Sequence, residues 1–140
     1  MSTTANALPE PILDLVVRAR KTLSFARTFA DEVELKRLNA RATPSVRKWA
    51  VASDRGREAY SHAFQAGQVL DNVLQALRGT ETYHGSLTAS FEANRERIQP
   101  ELETAATGLN YATRLCLKYP AVIRSIEKTF GIDLPPARGA

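Results

Sequence analysis

Two histidines, one cysteine and fifteen carboxylates are the side chains in this 140-residue chain most able to do chemistry. Their spacing decides what they could do. A zinc-binding helix needs two histidines one turn apart, at i and i+4, so that both imidazoles reach one ion. Here His62 and His84 are 22 residues apart, and the second falls in a glycine-bounded loop. A carboxylate-bridged di-metal bundle needs two Glu-x-x-His motifs on two helices, and the chain lacks that set. The glycines do not form a phosphate cradle either. The stretch RGTETYHGS has no Lys-Ser or Lys-Thr after it, and without that pair nothing reaches the terminal phosphates or their metal. No cofactor or metal is expected, and the expectation is a protein that is not an enzyme.

His62 is the strongest single candidate for a small-ligand or phosphotransfer site, because it falls mid-helix in YSHAFQAG. A phosphoryl group on a histidine needs a nearby cation to hold it. The positions three and four residues on are Gln65 and Ala66, which supply none. Cys116 falls on an apolar helical stripe, where cysteine acts as a small core hydrophobe. The aromatics at helical spacing, Tyr60 and Phe91 among them, read as core for the same reason.

The elements that would position these residues are helices throughout. Hydrophobic residues make up 44% and charged residues 24%, the balance of a globular domain. From Ile12 to Val33 apolar positions recur in steps of four and three, which is a helical stripe. It runs to about residue 41, where Thr43-Pro44 stops it, because a residue before proline avoids the helical region. The same pair starts a second helix, with Thr43 as N-cap and Pro44 in the first turn. Its stripe passes Trp49, Ser53, Gly56, Tyr60 and Gly67 to Leu77. Small residues on a stripe mean either a close helix crossing or a break at Ser53–Gly56, and one continuous helix is expected.

The fold expected is therefore all-α: an elongated antiparallel bundle of three long helices over about 11–41, 44–78 and 86–118, with a short C-terminal helix over about 120–130. The third has a kink or restart at Pro100, where the missing N–H breaks the ladder. Residues 1–10 and 135–140 read as disordered tails around one domain spanning 11–134. No apolar run approaches the roughly 18 residues of a membrane span. The first residues have no secretory pattern, and a single cysteine fits a reducing compartment, so the expected location is cytoplasmic and away from membranes. Phe25 and Leu35 lie off the first stripe and would cover a seam in a homo-oligomer.

What remains is charge. The first 60 residues hold eleven Lys and Arg against seven Asp and Glu, and the last 80 hold eight of each. Residues 36–57 alone carry Lys36, Arg37, Arg41, Arg47, Lys48, Arg55 and Arg57 against one acid, Asp54. They span the elbow between the first two helices, so the cations emerge from both arms at one end of the bundle. Three readings fit such a tip. It can be a solvated end that only aids solubility. It can contact nucleic-acid phosphates. It can dock an acidic protein partner or a like subunit. No short recognition helix for base reading is present. The expected function is an interaction or assembly protein that uses this basic tip, and His62 is the alternative site.

Overall fold

The computed structural model describes residues 8–138, and among these it is 85% helical with no strand. The all-α expectation is met. Six helices follow in order: α1 Glu10–Asn39, α2 Thr43–Gly79, α3 Glu81–His84, α4 Leu87–Ala93, α5 Arg95–Leu117 and α6 Pro120–Phe130. Helices α1 and α2 form a long antiparallel hairpin, and α5 returns beside α2 toward the hairpin's turn. At about 1.5 Å per residue, α2 alone is roughly 55 Å long. The core lies where α1, α2 and α5 meet, around Phe25, Phe29, Leu70 and Leu109. Helix α6 then packs back onto α1.

Proline sets three of the helix starts: α1, α2 and α6 each carry one in the first two positions, where its missing N–H costs nothing. Thr43, however, is not a cap. The cap position is Ala42, in extended backbone, and no side chain accepts a bond from the first turn. Ser86 is the true capping side chain, accepting from the Ala89 N–H at 3.0 Å to start α4.

Helix α2 is continuous through Ser53–Gly56. Gly56 is there for close packing, since a Cβ would stand 3.0 Å from the Ala30 Cα on α1. The third long helix breaks at Asn94 rather than Pro100. At Asn94 the backbone leaves the helical region (φ −111°, ψ 12°), its N–H is shared between the Ser90 and Phe91 carbonyls, and its side-chain amide donates to the Ser90 carbonyl as well. Pro100 then sits inside α5 without ending it, at the expense of the ladder bond its N–H would give the Glu96 carbonyl.

Phe25 is fully buried within the single chain, so it cannot cover a seam between copies; Leu35 is 54% exposed. The reason is that the core face of α1 is broader than the stripe drawn through the sequence. Ile12, Ala19, Ala26 and Val33 on that stripe are buried, Phe25 and Phe29 beside it are buried too, and Val16 and Leu23 at its edge are partly buried against the same core.

The segment after α6 is held to the bundle. Ile132 and Leu134 pack on the core, and the Arg138 N–H donates to Asn110 Oδ1 at 2.8 Å while its guanidinium pairs with Asp14 at 3.0 Å. The expected free tail from 135 is thus corrected as far as Arg138. The rest of both expected tails, 1–7 and 139–140, lies outside the described residues.

Candidate interaction site at the α1–α2 tip

The two hairpin helices outrun everything packed on them. Val33 is the last buried residue of α1 and Ala52 the first of α2, and no residue from 34 to 51 is buried. Tyr119, at the α5–α6 junction, packs against Phe29, with ring centroids 5.7 Å apart. Helical cover therefore ends near that level. Beyond it, roughly 13 Å of α2, nine residues at about 1.5 Å each, stands with α1 as a bare two-helix projection.

The seven basic residues divide here into two groups. Arg37 is bonded to Glu34 through Nε at 3.0 Å. Arg55 is paired with Glu58, and Arg57 with Asp54 and the Ser53 hydroxyl. The partners Glu34 and Glu58 fall just outside the 36–57 window, which is why that stretch reads as less neutralised than it is. Glu34 also accepts from Ser53 Oγ at 2.7 Å. The hydrogen bond from Arg37, then that from Ser53, holds the Glu34 carboxyl down at about 2, and the same bond raises the Arg37 guanidinium. Each of these ion pairs lies within one helix, and the Ser53–Glu34 bond is what links α2 to α1 at the base of the projection.

Lys36, Arg41, Arg47 and Lys48 have no carboxylate partner among the described residues. Arg41 bonds the Leu38 and Ala40 carbonyls that end α1, favourable ground for a cation at a helix C-terminus. Lys36 and Lys48 come from opposite arms and place their ammonium groups 5.3 and 4.8 Å from the Trp49 ring centroid. Both distances are within cation–π range. Trp49 is half-buried rather than core. Four large apolar side chains are exposed in the same projection: Leu35 54%, Leu38 57%, Val46 41% and Val51 50%. Sequence reading registered the charge and set Leu35 off the first stripe, but did not join the two, because nothing in the sequence tells that the helices packed on the hairpin stop short of this end.

The other candidate residues are not assembled into a site. His62 is half-buried with its ring edge-on to Tyr111, centroids 4.6 Å apart. One Glu-x-x-His spacing does occur, Glu81 to His84 on the four-residue α3, but no group of three or more metal-binding side chains exists among the described residues. Cys116 is buried, and desolvation pushes its thiol up to about 12, so it stays protonated and unreactive. No helix of the described residues is long and apolar enough to cross a membrane. The chain matches no protein-family model, no curated protein and no solved structure.

Proposed function

We propose that this chain is a non-enzymatic docking or assembly module whose α1–α2 tip receives an acidic, amphipathic segment of a protein partner. The observation that carries this reading is the mixture at the tip: four uncompensated cations interleaved with four exposed apolar side chains around a half-buried tryptophan. Contact with a phosphate backbone calls only for cations. A protein interface calls for an apolar centre with Trp and Arg, ringed by polar groups. Exposed leucine and valine at the tip serve the second purpose and not the first. A tip kept only for solubility has no use for them either.

The test is fluorescence polarisation with three labelled probes: a helical peptide with one leucine face and one glutamate face, a polyglutamate of equal charge, and a DNA duplex. The amphipathic peptide is expected to bind tightest. Leu38→Ser with Val46→Ser should reduce it to the level of polyglutamate, and neutralising Arg41, Arg47 and Lys48 together should abolish binding of both peptides. Tightest binding to the duplex, unaffected by the leucine and valine changes and with a log–log salt slope of about −0.9 per phosphate contact, would assign the tip to nucleic acid instead.

A further inference from the structure

Three polar atoms on α1 and α5 are shut away from solvent without a hydrogen-bond partner among the described residues: Arg18 Nε, Thr22 Oγ1 and Thr113 Oγ1. Thr22 and Thr113 are each 1% exposed. A helix offers such a hydroxyl a ready acceptor, the carbonyl one turn back. Thr28 and Thr104 take it, donating to the Ser24 carbonyl at 3.1 Å and the Pro100 carbonyl at 2.9 Å. Those two are on the surface, where water would serve as well. Thr22 and Thr113 are the buried pair, with the greater need of a partner, and they leave their own helix carbonyls untaken.

The helices bring these groups together. Both α1 and α5 run toward the hairpin's turn, so they are parallel. Arg18 meets Asn110 at one level, and Phe29 meets Tyr119 further along. Thr22 is one turn beyond Arg18 and Thr113 one turn beyond Asn110, which puts the two hydroxyls at a common level of the seam. Charge then selects the ligand. Arg18 is bonded to a neutral amide, and no carboxylate pairs with it among the described residues. Asp14, one turn before it, is taken by Arg138. A charge so buried calls for an opposite charge. The guanidinium Nε–H and both hydroxyls can all donate, so the set suits an acceptor carrying negative charge. A water molecule would use the donors and leave the charge uncompensated. Phosphate or sulfate would need donors for several oxygens, and a monatomic ion does not. We infer that the α1–α5 seam holds one small anion of the halide class, bound by Arg18 Nε–H and the Thr22 and Thr113 hydroxyls.

Two measurements on the full chain test this. Crystals grown in sodium bromide should show an anomalous peak within hydrogen-bonding reach of all three groups. In solution, urea unfolding is followed at fixed ionic strength while gluconate is exchanged for chloride. The folded-to-unfolded ratio should rise by up to about tenfold for each tenfold rise in chloride, the mass-action limit for one site. Thr22→Val with Thr113→Val keeps the shape and removes both hydroxyls, and it should abolish that dependence. Should the double variant not fold, the two wild-type measurements still decide. A water without anomalous signal at the position, hydroxyls turned onto their own helix carbonyls, or a wild-type stability indifferent to chloride would overturn the inference. A bromide peak without chloride dependence would be binding at crystal concentration only, and would overturn it equally. Chloride dependence that survives in the folded double variant would put the ion elsewhere and contradict the assigned site.

Discussion

Glu34 shows at the scale of one side chain how the tip is braced from its base. Its carboxylate joins the two arms, accepting from Arg37 on α1 and Ser53 on α2. Because its folded pKa lies at about 2 rather than the ordinary 4.5, its contribution to stability is present above the ordinary value and is lost as the pH falls toward 2. Glu34→Gln should therefore lower the melting midpoint at neutral pH. The gap from wild type should close on acidification between about 4.5 and 2. Thermal melts of both proteins across that range check it, and a constant gap would mean that the amide loses packing rather than charge. Glu34 also shows where sequence reading stops short. A charge count along the chain cannot see an acid one helical turn outside its window, whereas a helix brings residues three apart onto one face.

Among the helices, prolines made several boundaries legible. Pro11, Pro44 and Pro120 each lie at a first turn, and the starts and ends of α1, α2 and α6 fall within two residues of where the sequence puts them. The Asn94 break was not legible, since no proline or glycine marks it and the side-chain bond to the Ser90 carbonyl exists only once α4 has formed. The core face of α1 was legible along Ile12, Ala19, Ala26 and Val33. Phe25 was not, because a single stripe cannot show that the buried face is wide enough to include it. The caps give a clean contrast. Ser86→Ala should cost about 1 kcal/mol, while Thr43→Ala should leave stability nearly unchanged because no bond to its hydroxyl caps α2. Urea denaturation of both variants measures this, and an equal loss in the two would refute the assignment of caps.

For the molecule as a whole, the bundle has a tightly held end and an open end. At the held end Arg18, only 7% exposed, donates to Asn110 Oδ1 at 2.8 Å and has no carboxylate bonded to it. Burial lowers its pKa, and the charge of Arg138 lowers it further. Asn110 also bonds the Arg138 backbone, so one amide fixes α1, α5 and the C-terminal segment together. Asn110→Ala should cost about 2–3 kcal/mol, as expected for a hydrogen bond to a buried charge. Arg18→Met should cost less, because it removes the charge along with its need for a partner; the reverse order in denaturant titrations would contradict this account. At the open end, Trp49 is the chain's only tryptophan, so its fluorescence reports the tip alone. The most direct measurement is therefore a titration of Trp49 emission with the unlabelled leucine–glutamate helical peptide. The account predicts a saturable change that is lost when Arg41, Arg47 and Lys48 are neutralised and that a DNA duplex does not compete away. No saturable change with the peptide, or a change that the duplex reverses at lower concentration than the peptide, would contradict it.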